Sequence, residues 1–222
     1  MISVKIAGSL LDISAYLIYN NYGDTLRIFR KGAVKNMKQS FDKGFVTPLP
    51  VFIIATYGKD GKPDAMNAAW AGQVGGDLIS ISLGSHVSTD NIKENGEFTV
   101  SFATKDFLAE CDYVGMVSQK NVPDKLERAG FTVTKSAKVN APVIDQLPAA
   151  LECKVKDIIE EYGETRVVAQ IVGLVADDSV LTDGKVDLGK LQPIMFDSSA
   201  KAYRVIGDIA GGAWEAGGKF AK

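Results

Sequence analysis

The sequence predicts a mainly β fold: an antiparallel sheet, closed or sandwiched upon itself, carrying small helices. Three observations lead there. Apolar and polar residues alternate with a period of two in several short runs, the spacing of a strand with one buried face. Turn signals rich in glycine and aspartate recur between those runs. The intervals are too short for the crossover helices that parallel strands require.

Taken in order, Val51-Phe52-Ile53-Ile54-Ala55-Thr56-Tyr57 is the first strand, opening after Pro48 and Pro50. Gly58-Lys59-Asp60-Gly61-Lys62-Pro63 turns the chain, because glycine tolerates positive φ and aspartate bonds its own backbone. Asp64 to Trp70 then returns as the second arm of a hairpin. After Gly75-Gly76-Asp77, Ile79, Ile81 and Leu83 alternate with Ser80 and Ser82. Ser88-Thr89-Asp90-Asn91 offers N-cap oxygens for a helix of little more than one turn, stopped by Gly96. Phe98, Val100 and Phe102 give another half-buried strand.

Short helices are predicted from Asp106 to Tyr113 and from Asp124 to Ala129, the second ended by Gly130. Leu151–Glu160 and Thr165–Ala176 read as long strands flanking the hairpin signal Glu161-Tyr162-Gly163-Glu164. The run Val167-Val168-Ala169-Gln170-Ile171-Val172 is too continuously apolar to assign a face. Asp183-Gly184 marks a further turn, and Pro193–Phe196 a final strand.

The 222 residues suffice for one core plus an appendage. Lys and Arg total 25 against 27 Asp and Glu, a net charge of −2 that exerts no global attraction on nucleic acid. One histidine, His86, and two distant cysteines, Cys111 and Cys153, exclude HExxH, Cys2His2 and zinc-ribbon sites, and no metal is expected. No stretch approaches the roughly 18 apolar residues of a membrane span. The expectation is a cytoplasmic chain with reduced thiols and no membrane contact.

Charge is uneven along the chain. Residues 1–36 hold Lys5, Arg27, Arg30, Lys31 and Lys35 against Asp12 and Asp24, net +3, which leaves −5 on the remainder. They read as an appendage of uncertain order ahead of a domain over 37–222, or as an arm for a membrane surface or partner.

Several catalytic devices are missing. No Gly-x-Gly occurs, so the dinucleotide fingerprint is absent, and no Gly-x-Ser-x-Gly elbow is present. The glycine-rich end, Gly212 to Phe220, fails as a phosphate loop, since Ala213 and Phe220 stand where glycine and a hydroxyl are required. Two candidate segments remain. Ser82-Leu83-Gly84-Ser85-His86-Val87-Ser88-Thr89 can hold an anion: Gly84 permits close approach, the hydroxyls donate, and the following helix offers free N–H groups. Met66-Asn67-Ala68-Ala69-Trp70 presents accessible backbone, an amide and an aromatic face to a flat ligand. On these residues alone, helix capping and ordinary strand packing explain both segments at least as well.

In order and spacing, however, the segments resemble the flavin reductase-like family, and most closely its flavoredoxin-type branch. The resemblance lies in Pro48-Leu49-Pro50-Val51, the Gly58–Pro63 turn, Asn67-Ala68-Ala69-Trp70, Ser80-Ile81-Ser82-Leu83 and Thr89-Asp90-Asn91-Ile92. It continues through Gly96-Glu97-Phe98-Thr99-Val100-Ser101, Asp112-Tyr113-Val114-Gly115 with Ser118, and Asp124-Lys125-Leu126, spanning about 40 to 215. No single motif is diagnostic; the ordered sum is specific.

The resemblance implies an FMN-binding, Greek-key split β-barrel, a homodimer with flavin near the subunit interface. It places Asn67, Ala68, Ala69 and Trp70 beside the isoalloxazine edge. Ser82, Leu83, Gly84 and Ser85, with Ser88 or Thr89, would hold ribityl and phosphate. His86 stands where relatives often carry Arg or Lys. FMN would carry the electrons, taken from NAD(P)H and passed to a small-molecule acceptor or a redox partner protein. No side chain is assigned as acid or base. Two alternatives stay open: a flavoredoxin-like carrier without a nicotinamide site, and a non-redox binder of a flat anion. Tyr203 either approaches the ring or packs in the core, and Cys111 reads as structural.

Overall fold

The structure, a computed structural model, describes residues 38–221 and, ahead of them, the pairs Ala15–Tyr16 and Phe29–Arg30. It divides into two units, Met1–Gly44 and Phe45–Lys222. In the first, Ala15–Tyr16 pairs antiparallel with Phe29–Arg30. The rest of the predicted 1–36 appendage lies outside the described residues.

The second unit is organised by one sheet. Its strands are β1 (Phe52–Tyr57), β2 (Pro63–Ala68), β3 (Ala71–Gly75), β4 (Leu78–Leu83), β5 (Glu97–Phe102), β6 (Ala149–Glu161) and β7 (Glu164–Ala176). Their spatial order is β2-β1-β5-β6-β7-β4-β3, and every pairing is antiparallel. The two outermost strands, β2 and β3, are consecutive in sequence, with only Ala69 and Trp70 between them.

That connection dictates the shape. Laid flat, seven strands would hold their edges roughly 29 Å apart, at about 4.8 Å per strand. From Ala68 to Ala71 the chain can reach about 11 Å. The sheet must therefore roll until its edges meet. Bulges at Glu152/Cys153, Val155/Asp157 and Gln73/Gly75 supply local bends. No ladder pairs β2 with β3, so the roll is split and does not close.

Rolling creates an inside. Phe52 and Ile54 of β1 meet Met66, Ile79, Ile81, Leu83, Phe98 and Val100 there, sealed by Ile92. Val167 and Ala169 join them, which settles the face of the apolar run in β7; Val168 and Gln170 take the other side. The odd residues of β1, Ile53 and Ala55, pack outward against Cys111 and Val114 of helix α2 (Leu108–Met116), with Leu126 nearby. Being covered on both faces explains why β1 is apolar throughout.

Three expectations need correction. Strand β5 is not half-buried: Thr99 and Ser101 are as enclosed as Phe98 and Val100, and Thr99 Oγ1 donates to the carbonyl of Pro142. Strand β3 and the strand Ala202–Val205, which follows Ile194–Asp197, were not foreseen, the former because Gly72 and Gly75 break its alternation. Ser88–Asn91 does not cap a helix. Helix α1 starts earlier (Val87–Asn95), with His86 at the N-cap in an extended conformation and making no side-chain cap. Partners outside the helix claim the capping side chains instead. Ser88 Oγ donates to Asp64 Oδ2 at 2.6 Å, Thr89 Oγ1 to the Gly84 carbonyl at 2.9 Å, and Asn91 Nδ2 to Thr56 Oγ1 at 3.1 Å. Gly96 ends α1 as expected, at φ 67°.

A buried ion pair ties these elements together. Asp64 of β2 is 1% exposed and Lys125, which opens α3 (Lys125–Arg128), is 3% exposed, with Nζ and Oδ1 2.8 Å apart. Lys125 Nζ also donates to the carbonyls of Val114 and Val117, each at 3.3 Å. Lys125→Met leaves the Asp64 carboxylate buried without its cation and is expected to cost about 3–5 kcal/mol in urea unfolding. Lys59→Met, whose partner Glu94 is solvated, should cost no more than about 1 kcal/mol. Equal costs would remove the pair from its bracing role.

Candidate functional site

The seam left by the incomplete roll opens into a cleft of about 490 Å³, inside the range of small-molecule and cofactor sites. One wall is the end of β2 and its linker: Met66, Asn67, Ala68, Ala69 and Trp70. Another is the end of β4 and the loop beyond: Ser82, Leu83, Gly84 and His86. Backbone bonds hold the linker, Ser82 N–H donating to the Trp70 carbonyl at 2.9 Å and Ala71 N–H to the Ala69 carbonyl at 3.0 Å. The Trp70 ring is left 65% exposed at the rim, not packed in the core.

The polar end of the cleft is shaped by what is missing. A Cβ on Gly84 would stand 3.4 Å from His86 Nε2 and 3.7 Å from Glu164 Oε2, against two side chains that line the cleft. The first backbone bond of α1 runs from Asp90 N–H to the His86 carbonyl at 3.1 Å. The amides of Val87, Ser88 and Thr89 therefore have no acceptor within the helix, and no side chain caps them. Such an end favours an anion.

The remaining wall comes from distant sequence: Val51, Gly115, Glu164, Phe196 and Tyr203. Phe196 and Tyr203 are cross-strand partners whose rings lie 6.1 Å apart at 53°. Tyr203 OH donates to Asp112 Oδ1 of α2 at 2.6 Å. Burial, reinforced by that bond and the neighbouring carboxylate, pushes the phenol up to about 12. Among the described residues no Lys or Arg lines this cleft. A smaller pocket of about 170 Å³ adjoins it, sharing Met66, His86 and Gly115 and bordered by Ser88, Ser118 and Lys125.

Eight of the eleven anticipated residues are thus gathered in one cleft: Asn67, Ala68, Ala69, Trp70, Ser82, Leu83, Gly84 and His86. Ser88 borders the smaller pocket, its hydroxyl committed to Asp64, and the Thr89 hydroxyl is committed to Gly84. Ser85 is exposed and lines neither space. Sequence reading overlooked Val51, Gly115, Glu164 and Phe196, and left Tyr203 open. Glu164 directly follows a hairpin signal, but its placement depends on β7 pairing with β4, where Thr165 faces Leu83. Cys111 is buried, and desolvation lifts its thiol to about 12, which suits a packed residue and not a nucleophile.

The Tyr203 phenol yields a measurable pH effect. Unfolded, it ionises near the ordinary 10.0; folded, near about 12. Its contribution to stability is whole below 10.0 and falls as pH rises towards 12, because the unfolded chain releases the proton first. The difference in 295 nm absorbance between wild type and Tyr203→Phe should titrate near 12 and not near 10.0. A midpoint at the ordinary value would refute the bond to Asp112.

Comparison with known proteins agrees with this architecture. Residues 45–197 match the flavin reductase like domain. Flavoredoxin of Desulfovibrio vulgaris (Miyazaki F) superposes with a TM-score of 0.77 at 32% identity, covering 82% of this chain and 100% of its own. Flavoredoxin from Methanosarcina acetivorans gives 0.75 at 27% identity, covering 83% of this chain and 98% of its own. A protein of Archaeoglobus fulgidus is 31% identical over 147 residues, 65% of this chain and 81% of that one. With its antiparallel split roll and a domain match over most of its length, the chain belongs to the flavin reductase-like family.

Proposed function

We propose that this chain is an FMN-binding oxidoreductase that takes electrons from NAD(P)H and passes them to flavin or another acceptor. One observation carries the reading: a cleft lined by aromatic and small residues, Gly84 among them, reaches His86 at the uncapped N-terminus of α1. A flat ring joined to a phosphate has that form. Asn67, Ala68, Ala69 and Trp70 would border the ring, the Asn67 amide both donating and accepting. Ser82, Leu83, Gly84, Ser85 and His86 would follow the ribityl chain to the phosphate, met by the first-turn amides of α1. Ser88 and Thr89 take part through their N–H groups, since their hydroxyls are engaged elsewhere.

FMN supplies the electron-transfer chemistry that these side chains lack. The chain's own work is to bind and orient. Trp70, Phe196 and Tyr203 line the cleft and offer faces for stacking. No residue is needed as acid or base. A second reading, an electron carrier without a nicotinamide site, is supported by a cleft whose lining, among the described residues, carries no Lys or Arg to meet a dinucleotide's phosphates. Exposed Trp70, Val74 and Met116 support assembly as a homodimer.

The native spectrum is the first test: the purified protein, reconstituted with FMN, should show bound-flavin absorbance and quenched Trp70 fluorescence. Bleaching by NADH or NADPH without oxygen identifies the reductase; bleaching by dithionite alone identifies the carrier. No flavin uptake sinks both. Ser85→Asp, which adds a negative charge to the loop between Gly84 and His86, should weaken FMN by about tenfold, and unchanged affinity would remove Ser85 from the site.

A further inference from the structure

Gly115, in the last turn of α2, borders both the cleft and the smaller pocket. A Cβ built there would come closer than 3.0 Å to Cγ, Nδ2 and Oδ1 of Asn67, the whole of its amide group. Side-chain carbons essentially never approach neighbours so closely, so any other residue at this position obliges that amide to move.

Backbone conformation does not require glycine here. Gly115 is helical and is not among the residues with positive φ. Helix propensity argues against it, since glycine is the poorest helix former after proline. What the missing side chain provides is room for Asn67. Among the described residues no hydrogen bond holds that amide, so packing against α2 is what locates it while its donors and acceptor are left for a ligand. One turn earlier on the same helix, Asp112 holds the hydroxyl of Tyr203 on the opposite wall. Helix α2 thus lines the cleft with Gly115 and, through Asp112, holds a second lining residue, Tyr203.

We infer that Gly115 is a positioning residue, whose lack of a side chain sets where the Asn67 amide stands in the cleft. The inference rests on the flavin reading, which Asn67 would serve at the ring edge.

The test is a double-mutant cycle on the full chain: wild type, Gly115→Ala, Asn67→Ala and the double variant. FMN affinity is read by flavin fluorescence, the bound-flavin spectrum by absorbance, and stability by melting temperature. Gly115→Ala should weaken FMN about tenfold and shift the bound spectrum, as expected for a displaced polar contact. In the Asn67→Ala background the same change should leave affinity unaltered. Melting should change sign: alanine at 115 lowers the midpoint beside asparagine, and raises it once the amide is gone, because alanine is the better helix former. Additive losses, or FMN affinity unchanged in Gly115→Ala, would overturn the inference alone. A wild-type chain that takes up no FMN would overturn the flavin reading, and this inference with it.

Discussion

The structure depends on a two-residue connection. Ala69 and Trp70 join strands lying at opposite edges of a seven-stranded sheet, and a linker that short leaves the sheet no choice but to roll. Because β2 and β3 share no ladder, the roll keeps a seam. The seam is the cleft. The residues that force the sheet to curl therefore also line the space that curling opens, with Trp70 at its rim.

Around the seam, stability and site geometry are carried by the same contacts. Asp64 and Lys125 would each be costly to bury alone; paired, and bonded to Ser88 and to the carbonyls of Val114 and Val117, they fix β2, α1, α2 and α3 together. The segments so fixed present Asn67, the open end of α1 and Gly115. Thr89 ties α1 back to Gly84 and shapes the loop carrying Ser85 and His86. The hydroxyls of Ser88 and Thr89 are both used in this bracing, while the first-turn amides of α1 have no cap.

Much of this was legible in the sequence. The alternation of Ile79, Ile81 and Leu83 names the buried face of β4, and the turns at Gly58–Pro63 and Tyr162–Gly163 stand where glycine and aspartate chemistry puts them. Eight residues of the cleft lie in two short segments that the resemblance, and not their composition, marks out. Less legible were features created by distant chain. Thr99 and Ser101 alternate as solvent-facing residues should, yet a neighbouring segment covers them. Ser88 and Thr89 satisfy every local rule for a cap, yet Ser88 bonds Asp64, far away in sequence, and Thr89 bonds the carbonyl of Gly84 in the preceding loop.

By itself, the sequence determined the antiparallel class, the long strands and their turns, and the absence of familiar catalytic motifs, and its resemblance to a family marked the two segments that border the cleft. These are local properties, set by side-chain period, turn propensity and residue type. Only the tertiary structure decided that Phe196 and Tyr203 join Trp70 in lining the cleft, that Glu164 lies beside Gly84, and that the Asn67 amide packs against a glycine on α2. Those outcomes depend on which strands pair and how closely backbones approach, and both are settled by long-range packing and by the reach of a short linker.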